Sequence, residues 1–145
     1  MRVLVLNGPN INLLGKREPE IYGTMTYQVL CDKIASYGAS KYVNIEIKQS
    51  NHEGVLIDLI QEADGMYDAI VINAAGYTHT SVAIMDAIKA ITIPCVEVHL
   101  SDPSQREKYR QYSFLKEVCV KTFKGEKELS YLKAIEYLNN NYAPF

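Results

Sequence analysis

Val3-Leu4-Val5-Leu6-Asn7-Gly8-Pro9-Asn10-Ile11-Asn12-Leu13-Leu14-Gly15-Lys16-Arg17-Glu18-Pro19-Glu20-Ile21-Tyr22-Gly23 is a short apolar run followed by a long polar connection. Four successive aliphatic residues without polar alternation are expected of a strand buried on both faces, as in parallel sheets. The connection shows no helical period and exceeds the usual loop length of a compact domain, which marks a lid or binding loop. Gly8, Pro9, Gly15, Pro19 and Gly23 punctuate its backbone, and asparagines, Arg17 and Tyr22 give it groups able to hold a ligand. Lys16, Arg17, Glu18 and Glu20 suit a solvated surface loop equally well, so loop length alone leaves both readings open.

Along the chain, five apolar runs alternate with helical patterns. Strands are expected at Arg2 to Leu6, Val43 to Lys48, Ala69 to Asn73, Cys95 to His99 and Val118 to Phe123. Thr26 to Tyr37 reads as a first helix ending near Gly38. Val55, Leu56, Leu59, Ile60 and Ala63 recur at helical spacing, and Ser50 with Glu53 offers a capping box. Ser81 to Ile91 is helical but apolar almost all round, so cover on both faces is expected, part of it from another subunit. Lys127 to Tyr142 carries Tyr131, Ala134, Ile135, Leu138 and Tyr142 on one stripe. This alternation predicts an α/β fold: a five-stranded parallel sheet of flavodoxin-like order 2-1-3-4-5 with helices on both faces. Right-handed crossovers put the first and last helices on one face and the others opposite. The chain is read as one domain, 1–145, with residues 8–25 as an active-site lid loop.

With 145 residues, 48 % hydrophobic and 22 % charged, the composition is that of an ordinary globular domain with a single core. A net charge of −2 offers no clustered basic surface for nucleic acid. No apolar run approaches the ~20 residues of a membrane helix, and Met1-Arg2 leads directly into a strand with no signal-peptide pattern. Three cysteines without metal-ligand spacing, Cys31, Cys95 and Cys119, fit buried reduced thiols in a cytoplasmic protein.

In an open α/β sheet, ligands bind beyond the carboxyl ends of the strands at the switch point. Asn7 and Asn10 follow the first strand, Asn73, Gly76, Thr78, His79 and Thr80 the third, and His99, Ser101, Asp102 and Ser104 the fourth, with Arg106 and Arg110 beyond. Two of the three histidines therefore meet on one rim, whereas His52 lies before the second helix and reads as structural or solvated. Gly8-Pro9-Asn10 is neither a dinucleotide fingerprint nor a P-loop, no G-x-S-x-G elbow is present, and His79 and His99 lack a third metal ligand beyond Asp102. Cofactor-free acid–base chemistry by His, Tyr and Arg remains.

The chain resembles the type II 3-dehydroquinate dehydratases over essentially its whole length. Four blocks carry the resemblance, in order and each at a strand end. The first is Leu6-Asn7-Gly8-Pro9-Asn10 with Arg17-Glu18-Pro19-Glu20-Ile21-Tyr22-Gly23. The second is Gln49-Ser50-Asn51-His52-Glu53-Gly54. The third is Asn73-Ala74-Ala75-Gly76-Tyr77-Thr78-His79-Thr80-Ser81-Val82-Ala83. The fourth is Val96-Glu97-Val98-His99-Leu100-Ser101, followed by Arg106-Glu107 and Arg110. The resemblance implies a hydro-lyase of the shikimate pathway that reversibly dehydrates 3-dehydroquinate to 3-dehydroshikimate through an enolate. It implies no metal or cofactor, and a dodecamer built as a tetramer of trimers.

By that resemblance Tyr22 is the general base and Arg17 stabilises its phenolate, which a free tyrosine forms to only about 0.1 % at pH 7. Asn10 polarises the enolate, and His99, oriented by Glu97, protonates the departing hydroxyl. Asn73 with the backbone amides of Leu100 and Ser101 holds the substrate carboxylate, His79 and Arg110 take the ring hydroxyls, and Asp86 reaches the site of a neighbouring subunit. Asp102 and Ser104 depart from the asparagine and histidine common in the family, and a carboxylate at 102 raises the question of repulsion with an anionic substrate. A non-catalytic flavodoxin-like module would show a break in the Arg17–Tyr22–His99 set, and none is present.

Overall fold

The computed structural model describes residues 1–16 and 18–144, and of Tyr22 the backbone only. The strands are β1 (Arg2–Asn7), β2 (Asn44–Gln49), β3 (Ala69–Asn73), β4 (Cys95–Val98) and β5 (Lys121–Phe123). They form one parallel sheet in the order β2-β1-β3-β4-β5, as the alternation predicts. The helices are α1 (Pro19–Tyr22), α2 (Tyr27–Ser40), α3 (Glu53–Ala63), α4 (Val82–Ala90) and α5 (Glu128–Tyr142).

The Val3–Leu6 run is apolar throughout because its residues feed two cores in turn. Val3 and Val5 pack with Leu30, Ile34, Ile135 and Leu138 under α2 and α5. Leu4 and Leu6 pack with Leu56, Ile60, Ile84 and Ile88 under α3 and α4. All four strand residues are at most 1 % exposed, and burial of each such side chain contributes roughly 1.5–3 kcal/mol. The first long helix and the last thus share one face.

Several local expectations are corrected. The connection after β1 is not without helix: Ile11–Leu13 forms a 3-10 turn and α1 follows. Ile11 and Leu14 are buried in the α2/α5 core, so apolar anchors pin the first half of this segment. Helix α2 is capped by Thr26, whose Oγ1 accepts from Val29 N–H at 3.2 Å, but it runs through Gly38 to Ser40 because Gly38 lets the helix settle on Ile45. Ser50 does not form the capping box; its Oγ accepts from His52 N–H at 3.0 Å, and His52 itself stands at the N-cap of α3. β5 starts at Lys121 because the N–H groups of Val118 and Cys119 close a turn on Leu115 O and leave the ladder. β4 ends at Val98, one residue before His99.

The outer side of α4 is less uniformly apolar than expected, since Asp86 and Lys89 are exposed there beside Val82 and Ala83. Cys31, Cys95 and Cys119 are all free thiols, but only Cys95 is fully buried. Among the described residues no helix is long and apolar enough to cross a membrane.

Candidate active site

The crevice opens where the ends of β1, β3 and β4 stand side by side. Gly8 makes this convergence possible: a Cβ there would lie 2.6 Å from Ala74 O, and its N–H donates to Asn73 O at 2.7 Å. Asn10 follows in the left-handed region, φ 70°, which asparagine enters more readily than most residues. Its N–H donates to Asn51 Oδ1 at 3.0 Å, and Gln49 Nε2 donates to Gly8 O at 3.1 Å. The segment after β2 therefore fixes the turn that carries Asn10.

Asn10 and Ile11 form one wall of the crevice, Asn73, Gly76 and His79 the second, and His99, Leu100 and Ser101 the third, with Arg106 and Arg110 completing the lining. Glu18, from the connection after β1, reaches to 3.5 Å from Arg106 Nη2.

On the third wall, His99 is backed by a buried carboxylate. Glu97 in β4 and His99 just past its end lie two residues apart on the same side of the chain, and Glu97 Oε2 lies 2.7 Å from His99 Nε2. Ser113 Oγ donates to the same carboxylate oxygen at 2.6 Å, and Thr122 Oγ1 donates to the other at 2.8 Å. Thr122 is the register partner of Glu97 on the adjacent strand. Burial pushes the Glu97 carboxyl up, but the bonds and charge of His99, with those two hydroxyls, outweigh it and leave the pKa below its usual value. Glu97 is therefore an anion held by donors on three sides, and a positive charge on His99 has its counter-ion already in place.

His79 is oriented differently. Its Nδ1 donates to Tyr112 O at 2.8 Å, and burial leads the causes that move its pKa below the ordinary value. A neutral ring with Nδ1–H committed presents Nε2 as an acceptor, suited to a ligand hydroxyl. The carbonyls of Leu100 and Ser101 accept from Lys127 N–H and Gly125 N–H. Among the described residues their own amide N–H groups have no partner, which leaves two donors for an anion. Arg110 is steadied by Glu107, Nε to Oε2 2.8 Å.

The structure thus brings together Asn10, Asn73, His79, His99, Leu100, Ser101 and Arg110. Asn7 is corrected: it is fully buried, and its amide bonds to Tyr131 and Tyr27, so it offers nothing to a ligand. Asp86 is exposed on α4 and does not line this chain's crevice. Arg17 and the side chain of Tyr22 lie outside the described residues. Asp102 does not line the crevice either. Its Oδ1 accepts from Ser104 N–H and Oγ–H at 3.0 and 2.7 Å and lies 3.5 Å from Lys124 Nζ. The Ser104 hydroxyl leads the causes that hold this carboxyl below the usual range. The charge is thus taken up within its own turn.

Ser113, Thr122 and Tyr131 escape a reading of sequence alone. Ser113 sits in irregular chain with no pattern to mark it. Thr122 becomes legible only once the β4–β5 register is known. Tyr131 reads as one more apolar residue of a helical stripe, although a buried phenol needs a hydrogen-bond partner.

The model of the class II dehydroquinase family matches residues 1–139. The chain is 50 % identical over 136 residues to a 3-dehydroquinate dehydratase of Acaryochloris marina, an alignment covering 94 % of this chain and 91 % of that one. It is 48 % identical over 145 residues to a 3-dehydroquinate dehydratase of Fusobacterium nucleatum, covering 98 % and 99 %. The crystal structure of a type II dehydroquinase from Butyrivibrio crossotus superposes with a TM-score of 0.94 at 45 % identity, covering 96 % of this chain and 97 % of that one.

Proposed function

We propose, from the premise that the chain belongs to the class II dehydroquinase family, that it is a hydro-lyase of the shikimate pathway. It interconverts 3-dehydroquinate and 3-dehydroshikimate. The observation that carries the reading is His99 on the wall of a crevice lined also by His79, Asn73 and Arg110, with the buried Glu97 carboxylate 2.7 Å behind it.

In the dehydration direction Tyr22, as phenolate, removes the proton next to the ketone, and the electron pair moves into the carbonyl to form an enolate. Arg17 favours the phenolate by its charge, and Asn10 supports the oxyanion. The enolate then returns its pair to expel the hydroxyl, which takes a proton from His99 and leaves as water. With Nε2 committed to Glu97, Nδ1 is the atom from which that proton departs. Asn73 and the Leu100 and Ser101 amides hold the carboxylate, and His79 and Arg110 the ring hydroxyls. Within residues 8–25, the part beyond the Ile11 and Leu14 anchors closes as the lid that excludes water during the step. The working form is a dodecamer, a tetramer of trimers, in which Asp86 reaches a neighbouring subunit's site. The cytoplasm is the compartment this implies.

The test follows the enone absorbance of 3-dehydroshikimate after the protein meets 3-dehydroquinate, with EDTA present. A sustained rise is expected, and a flat trace overturns the assignment. In His99→Ala elimination should fall by at least about 10², while exchange of the α-proton with solvent, followed by NMR in deuterium oxide, persists. Loss of both together would remove His99 from the role of acid alone.

A further inference from the structure

Behind Asn73 lies a run of buried side chains to which the steps above give no part. Ala75 N–H donates to Asn73 Oδ1 at 3.1 Å, and a backbone N–H can only donate. The oxygen of the Asn73 amide is thereby fixed, and its nitrogen faces the Tyr131 hydroxyl at 2.9 Å. Tyr131 accepts there, so its single proton goes to Asn7 Oδ1 at 2.6 Å. The Asn7 nitrogen in turn faces the Tyr27 hydroxyl at 3.4 Å. Polarity is set from one end of this run, and no member can reverse without leaving a buried polar group unpaired. Tyr131 and Asn7 are fully buried, and Asn73 is 3 % exposed. Burial also raises the Tyr131 phenol far above its ordinary pKa, so it keeps the proton it donates.

We infer that Tyr131 and Asn7 are positioning residues that lock the Asn73 amide with its remaining N–H available to the crevice, so that this end of the site takes a carboxylate and rejects a group that donates. The inference rests on the reading of Asn73 as a carboxylate contact. A free asparagine amide turns over to suit an acceptor or a donor. Held by Ala75 on one side and Tyr131 on the other, Asn73 keeps its oxygen turned to the Ala75 N–H and its nitrogen to Tyr131, so it cannot turn over to suit a donor. With the amides of Leu100 and Ser101 it forms a cluster of fixed donors, an environment that favours an anion over a carboxamide NH₂.

A double-mutant cycle tests this: the parent enzyme, Asn73→Ala, Tyr131→Phe and the pair, each assayed for kcat and KM with 3-dehydroquinate and for inhibition by the substrate's carboxamide. Tyr131→Phe should raise KM about tenfold with kcat changed less than about threefold, the scale of a mispositioned charge-assisted hydrogen bond. It should narrow the preference for carboxylate over carboxamide and add nothing further once Asn73 is alanine. An equal rise in KM with and without Asn73 would show that Tyr131 acts through general packing and overturn the inference. An unchanged KM in Asn73→Ala would instead overturn the carboxylate reading of Asn73 itself. Should Tyr131→Phe fail to fold, Asn7→Leu, close in shape, removes the acceptor that sets the Tyr131 proton. The same cycle with Asn73 then applies, with loss of the carboxylate preference as the expected result.

Discussion

Glu97 bears a negative charge where only 1 % of its surface meets solvent, and donors from His99, Ser113 and Thr122 keep it ionised. Its folded pKa lies below the ordinary 4.5, so its stabilising contribution is complete above the unfolded value and is lost as the pH falls through the folded one. Glu97→Gln removes the counter-charge of His99 and leaves Ser113, Thr122 and His99 sharing one acceptor. Turnover should fall by about 10². The mutant's stability should also depend less on acid, because the titrating group is gone. Urea midpoints measured at about pH 7 and about pH 3.5 check the second point: the parent should lose more between them than the mutant does. A parallel loss in both proteins would assign the acid sensitivity to other carboxylates.

At the scale of the element, Gly38 and Gly54 make opposed cases in two helices on opposite faces of the sheet. A Cβ on Gly38 would come within 2.3 Å of Ile45 Cγ1 and 3.1 Å of Val43 O. The side chain can yield and the carbonyl cannot, so overpacking of about 1–3 kcal/mol competes with a helix-propensity gain of about 1 kcal/mol. Gly38→Ala should therefore lower Tm by a few degrees. Gly54, in α3, has nothing within 4 Å of such a Cβ, and Gly54→Ala should raise stability by about 0.4–1 kcal/mol. Calorimetry on the two proteins separates these signs. The same pair shows what sequence can carry. The period of α2 is plain in its residues, and so is the parallel sheet, because strands alternating with helices require crossovers; the order 2-1-3-4-5 is the one that five strands in a chain of this length suit. A glycine inside a helix looks like its end until the sheet beneath is known, which is why Gly38 reads as a stop. The site divides in the same way. His79, His99 and Asn73 are legible because strand ends collect chemistry. Asn7 misleads because an asparagine at a strand end can turn inward, and here Tyr131, more than a hundred residues later in the chain, decides that it does.

At the scale of the whole molecule, α4 presents an outer face that the single chain leaves open. Val82 is 46 % exposed, and Asp86 lies one helical turn further along the same side. The proposed assembly gives both a role: Val82 as apolar cover between subunits, and Asp86 as the group delivered to a neighbour's crevice. Val82→Glu places a like charge beside Asp86 and a lone charge in that contact, the kind of change a desolvated interface tolerates least. The chain's own fold should persist, since in a single chain this side chain meets solvent, and far-UV circular dichroism should be unchanged. Sedimentation velocity should show a smaller species than the parent, and kcat should fall with it because Asp86 no longer arrives. If the smaller species forms at full kcat, Asp86 acts in no neighbouring site. If the Val82→Glu protein keeps the parent's size, the open face of α4 is not where the subunits meet, and Val82 must be counted among the ordinary exposed aliphatic residues of a protein surface.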